Sequence, residues 1–152
     1  MPLYEQLSLL KKHPLAVCCG LAAGVLAGLG GVWLLSLLFK LDHRIYITLL
    51  PKSVTSAIGM GIAQELGGLP ALTVAIIICC GILGHVLAEG FFRLIRLTHP
   101  IAKGLAIGTA SHAIGTAKAM EMGPVEGAMS SLAIAAAGLL TVAAAPLFAN
   151  LI

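Results

Sequence analysis

The chain has 152 residues, 59% of them hydrophobic and 10% charged, with a formal net charge of +3 and a mean hydropathy of +1.05. That balance excludes an ordinary soluble domain, in which about a quarter of residues are charged. The small charge, with no basic run interleaved with aromatics, excludes nucleic acid as a partner. The expected class is an all-α integral membrane protein whose single domain occupies residues 1–152.

In chain order, residues 1–13 place Leu3, Leu7 and Leu10 beside Glu5, Lys11 and Lys12, the pattern of an amphipathic lead-in at the interface rather than a cleavable signal peptide. A span is expected over 14–39, where Gly20, Gly24 and Gly28 form a small-residue stripe suited to close helix packing. A polar segment, 45–66, follows. A second span, 71–95, is interrupted by His85 and Glu89, a second polar segment covers 102–122, and a last span covers 124–150. Glu126 reads as a carboxylate in the first turn of that last helix. Cys18, Cys19, Cys79 and Cys80 are two adjacent pairs inside apolar runs, which is neither metal-site nor CxxC spacing, so buried inert thiols are expected. No spacing supports a metal or a cofactor.

The two polar segments resemble each other. A shift of 56 residues sets "SAIGMGIAQELG" from Ser56 against "HAIGTAKAMEMG" from His112, matching Gly59 to Gly115, Glu65 to Glu121 and Gly67 to Gly123. An internal duplication is expected, with one polar segment and one span as its unit. If the polar segments are re-entrant, Lys11, Lys12, Arg93, Arg96 and Lys103 fall on one side and only Lys40 and Arg44 on the other. If they cross fully, the basic bias reverses. The positive-inside rule therefore favours re-entrant segments entering from opposite faces, an inverted repeat, while a broken crossing helix fits many of the same residues.

Irregular backbone at membrane depth must be satisfied by protein or by a water-filled cavity. Gly59, Gly61, Gly108 and Gly115 permit it, and Lys52, Ser53, Thr55, Ser56, Thr109, Ser111, His112 and Thr116 supply polar groups that could line a small-anion site. Pro51 before Lys52, Ser53 and Thr55 reads as a helix start aimed into that site. Each residue also has a structural reading: Lys52 can snorkel, His112 can be a satisfied structural histidine, and Lys118 with Glu121 forms a local helix pair. Glu89 is four residues from Arg93, so His85 and Glu89 read as interhelical or interfacial contacts. A Ser111–His112 nucleophile pair ranks last, because neighbouring side chains on a helix diverge and no carboxylate orients the imidazole; an enzyme is not expected.

Six motifs carry a resemblance: "PLYEQL" at Pro2, "LPKSVTSAI" at Leu50, "GGLPAL" at Gly67, "GILG" at Gly81, "AKGLAIGTASHAIGTAKAME" at Ala102 and "EGAMSSLA" at Glu126. In these the chain resembles the C-terminal portion of the LrgB/CidB (YohK-like) membrane proteins, and the C-terminal half of the plant plastidial glycolate/glycerate translocator. Family members carry further spans before "PLYEQL", so the resemblance implies a chain without those N-terminal spans. "GHVLAEG" departs from the family pattern at His85 and Glu89. The resemblance implies one of two functions in a bacterial inner membrane. The first expectation is transport of small monocarboxylates resembling glycolate, glycerate or pyruvate by alternating access. The alternative is an antiholin-like regulator of murein hydrolase export, acting with a small LrgA/CidA-type membrane partner. Homo-oligomerisation is expected with either.

Overall fold

A computed structural model describes residues 14–152, which form six helices: α1 (Pro14–Leu38), α2 (His43–Leu49), α3 (Ser56–Glu65), α4 (Pro70–Leu94), α5 (Pro100–Met122) and α6 (Pro124–Ala149). The interfacial lead-in expected over 1–13 lies outside the described residues. Three helices, α1, α4 and α6, are long and apolar enough to cross a membrane.

Each of these spans is apolar on its outside as well as its inside, which is how a lipid-facing helix differs from a soluble one. In α1 a single stripe, Val17, Leu21, Val25, Leu29 and Val32, is buried, while Leu26, Leu34, Leu35 and Leu38 face outward. In α4, Thr73, Ile77, Gly81, Ala88 and Phe92 are buried, with Ile82, Leu83, Val86 and Leu87 outside. Cys18, Cys19 and Cys79 lie on these outer faces rather than in the core, because both helices turn their larger aliphatic and glycine stripes inward.

Between α1 and α4 the chain goes in and comes back at one end of the bundle. Tyr46 at the start of this excursion donates its hydroxyl to the Phe148 carbonyl at 2.7 Å, near the C-terminal end of α6. Ile58, past the turn, lies against Gly138 of α6. Ten residues of α6 separate these levels, which at the helical rise is about 15 Å, or half a bilayer core. The return is pinned where the excursion began: the Leu69 amide donates to Thr48 Oγ1 and Thr73 Oγ1 donates to the Thr48 carbonyl, both at 2.9 Å. These hydroxyls satisfy backbone groups that no regular helix would cover. We call α2, the turn and α3 the first hairpin. Tyr46→Phe removes only the hydrogen bond to Phe148 and is expected to lower stability by about 1 kcal/mol, measured by thermal unfolding in detergent.

The second hairpin is α5, broken at His112 (φ 42°, ψ −138°). Its first arm packs on α6 so closely that a Cβ on Gly104 would lie 2.5 Å from the Glu126 carbonyl oxygen, and one on Gly108 would lie 2.5 Å from that of Ser130. Its second arm returns along the same stretch of α6, with Thr116 Oγ1 2.6 Å from Ser130 Oγ and Met120 against Gly127. Both arms therefore meet the N-terminal half of α6, and the second hairpin opens at the end opposite the first. The broken carbonyl of His112 accepts from Thr116 Oγ1 at 2.9 Å.

A correspondence runs through the elements before the hairpins. Two residues past the last helical residue of α1 and of α4 stands a basic residue in the left-handed region, Lys40 (φ 51°) and Arg96 (φ 55°). The closing bonds correspond as well: Leu41 N to Ser36 O and Leu97 N to Phe92 O, both 2.9 Å. All of these pairs are 56 residues apart, the offset that aligns the polar segments. This cap leaves a cation beside the negative end of each helix dipole.

Candidate functional site

The two hairpin tips meet around Ile77 of α4. Its side chain lies against Gly59 of the first hairpin, and its carbonyl oxygen accepts from His112 Nε2 of the second at 2.8 Å. The His112 ring lies over Gly81, where a Cβ would be 2.7 Å from Cε1. One residue of a spanning helix thus joins both tips.

Beside this junction is a cleft of about 670 Å³ between α1 and the first arm of α5. Gly20, Gly24 and Gly28 floor it, Ala106, Thr109 and Ala110 wall it, and Lys52 and Ser53 from the first tip reach it. The glycine stripe therefore does two things: Gly24 admits Thr109, whose Cβ would meet one added there at 3.0 Å, and the lost side-chain volume leaves room for a ligand. A second cleft of about 430 Å³ lies between α4 and the same arm of α5, and Lys52, Ala106 and Ala110 border it too, with Ser111. Lys52 Nζ donates to Ser53 Oγ at 3.0 Å and makes no ion pair among the described residues.

The residues expected to line a site divide into two groups. Lys52, Ser53, Thr109 and Ser111 border the clefts. His112 and Thr116 are buried and committed to the backbone and to Ser130. Thr55 is the residue before α3, with no side-chain cap, and Ser56 is its first residue; neither borders either cleft. The helix start expected at Pro51 falls instead at Ser56, because residues 51–54 form the turn of the hairpin, closed by Val54 N to Pro51 O at 3.3 Å. The Thr109 hydroxyl donates to the Leu105 carbonyl at 2.8 Å, so only its accepting lone pairs are free. Ala106 and Ala110 were legible only as small residues four apart.

A cluster of ion pairs lies at the end where the second hairpin opens. Lys118 Nζ pairs with Glu121 at 3.0 Å, as its spacing implies, and also reaches Glu89 of α4 at 2.8 Å. Arg93 lies 3.5 Å from Glu89. His85 Nδ1 lies 3.2 Å from the Ile114 carbonyl, an interhelical contact. Among the described residues no three His, Cys, Asp or Glu side chains converge as metal ligands.

The family model described as LrgB-like matches residues 1–151. The chain belongs to the LrgB-like family. It is similar to the antiholin-like protein LrgB of Bacillus mycoides (strain KBAB4) and to those of Bacillus cereus (strain B4264) and Bacillus anthracis (strain CDC 684 / NRRL 3495), at 37% identity over 148 residues in each case. The similarity covers 97% of this chain and 64% of each relative, so the LrgB-like chain spans just under two thirds of the curated relatives it matches. No solved structure matches it. Three candidate spans and bacterial LrgB relatives make it an integral protein of the bacterial plasma membrane.

Proposed function

We propose that this LrgB-like chain is an antiholin-like membrane protein, a regulator of murein hydrolase export and cell lysis that works with a small LrgA/CidA-type membrane partner and as a homo-oligomer. The observation that carries this reading is the 37% identity, across 97% of the chain, to proteins named antiholin-like. The aliphatic outer faces of α1 and α4 offer the surface for assembly within the bilayer. Its test is the autolysis rate of bacteria that lack their own LrgB-type protein and express this chain at verified membrane levels. Autolysis slowed several-fold supports the reading; an unchanged rate overturns it.

A second reading, carriage of small monocarboxylates resembling glycolate, glycerate or pyruvate, is favoured by one observation: Lys52 borders two clefts that lie on either side of Ala106 and Ala110. On this reading the ammonium binds the carboxylate, Ser53, Thr109 and Ser111 complete the contacts, and Thr55, Ser56, His112 and Thr116 hold the two tips in place. Lys52 then meets the carboxylate from either cleft, and alternating access requires the two tips to part toward opposite ends of the bundle. The segments 45–66 and 102–122 are then the working halves of an inverted repeat within one membrane domain, each preceded by a span that crosses in the opposite sense to the other. Labelled glycolate or pyruvate uptake by proteoliposomes tests this. Lys52→Ala is expected to raise the half-saturating concentration about tenfold or more, the worth of a charge-assisted hydrogen bond. Absence of saturable uptake, or a Lys52→Ala variant matching the parent, removes the carrier reading and leaves the regulator.

A further inference from the structure

The charged end of the second hairpin holds a cleft of about 620 Å³ that neither reading uses. Arg93, Arg96 and Lys103 line it, together with Glu89, Glu121 and Glu126. Two of the three carboxylates are already held by one cation, since Lys118 Nζ lies 2.8 Å from Glu89 and 3.0 Å from Glu121. Counting Lys118, four cations face three carboxylates. The guanidinium groups of Arg96, in no ion pair among the described residues, and of Arg93, 3.5 Å from Glu89, carry planar donor forks that fit a phosphate better than a point charge does.

We propose that this cleft binds the phosphate of an anionic phospholipid headgroup. The lipid rather than a soluble phosphate is indicated by what adjoins the cleft. Phe92 lines it and also lines the apolar groove between α4 and the first arm of α5. Lys103 stands one turn before Ala106 and Ile107, which wall that groove. Leu83 and Leu87, each 58% exposed, form the groove's outer rim on α4. An amphiphile with its anion at Lys103 and an acyl chain along Leu87 and Leu83 satisfies both surfaces. The leaflet agrees: this end carries Arg93, Arg96, Lys103 and Lys118 against Lys40 and Arg44 at the other, which the positive-inside rule assigns to the cytoplasmic side, where anionic lipids attract basic clusters.

The test uses the full chain reconstituted in vesicles of equimolar phosphatidylglycerol and phosphatidylcholine, extracted in mild detergent, with the ratio of co-purifying lipids measured by mass spectrometry. The expected result is an enrichment of phosphatidylglycerol on the order of tenfold, lost in Arg93→Gln/Arg96→Gln/Lys103→Gln and unchanged in Arg44→Gln at the opposite end. Because the triple variant could fail to fold, Arg93→Lys/Arg96→Lys is measured alongside it and is expected to give an enrichment between those of the parent and the triple variant. Equal retention of the two lipids, or enrichment that survives in a folded triple variant, overturns the proposal. Release of the lipid by millimolar inorganic phosphate during extraction also overturns it, by making a soluble anion the occupant.

Discussion

Gly108→Leu is expected to prevent α5 from seating on α6 and so to abolish recovery of a folded, monodisperse protein from the membrane. A Cβ at Gly108 lies 2.5 Å from the Ser130 carbonyl oxygen and 2.6 Å from the Ala133 Cβ. Neither neighbour is the free end of a flexible side chain, so relief requires the two helices to separate. Overpacking in ordinary cores costs about 1–3 kcal/mol, and a leucine forced between two backbones exceeds that range. The loss is large because this crossing supplies close van der Waals contact and approach of polar groups, the terms that hold helices together in lipid, where water exclusion contributes little. Gly61→Ala provides the contrast: nothing lies within 4 Å of a Cβ there, and its helical site is expected to gain up to about 1 kcal/mol. Thermal unfolding in detergent distinguishes the two.

The second large effect is at His112. His112→Ala removes the donor to the Ile77 carbonyl and the ring that lies over Gly81, an expected loss of about 2–4 kcal/mol. Alanine also keeps the left-handed backbone of this position, φ 42° with ψ −138°, which costs any residue with a Cβ about 1–3 kcal/mol. Glycine loses the same contacts and is freed of that strain, so His112→Gly is expected to be less destabilising than His112→Ala. If glycine is the worse replacement, the break is not strained and the helix is held there by other means. The ordering of the two variants, read from unfolding midpoints, is therefore informative even when both are weaker than the parent.

How much of this was legible beforehand follows from the range over which each signal acts. The three candidate spans follow from long apolar runs, a local property, and helices Pro14–Leu38, Pro70–Leu94 and Pro124–Ala149 lie over them. The expected direction of the hairpins in the membrane rests on counting Lys and Arg, because topology is set by charges at span ends. The location of the break in the second was not legible. "GTASHAIGTAKAM" has the alanine content of a continuous helix, and only the bond from His112 to Ile77, 35 residues earlier, fixes where it turns. The structural use of hydroxyls was hidden for the same reason. Thr48, Thr73 and Thr116 are used to satisfy backbone at the breaks, a task invisible until the broken carbonyls and amides are located. The Lys118 pair with Glu89 joins residues 29 apart, and local spacing showed only its partner Glu121. The matching backbone turns at Lys40 and Arg96, 56 residues apart, were not legible either, since they are read from dihedral angles and not from residue types.

The central claim is that the chain enters and leaves each end of the bundle on one side, twice and from opposite sides. Single cysteines in a background lacking Cys18, Cys19, Cys79 and Cys80 test it through labelling of intact cells by a membrane-impermeant thiol reagent. Arg44 and Glu65 flank the first hairpin, Thr98 and Glu121 flank the second, and all four are exposed. Arg44→Cys and Glu65→Cys are both expected to be labelled from outside, and Thr98→Cys and Glu121→Cys are both expected to be protected until the membrane is opened. Labelling that places the two members of either pair on opposite sides would contradict the account.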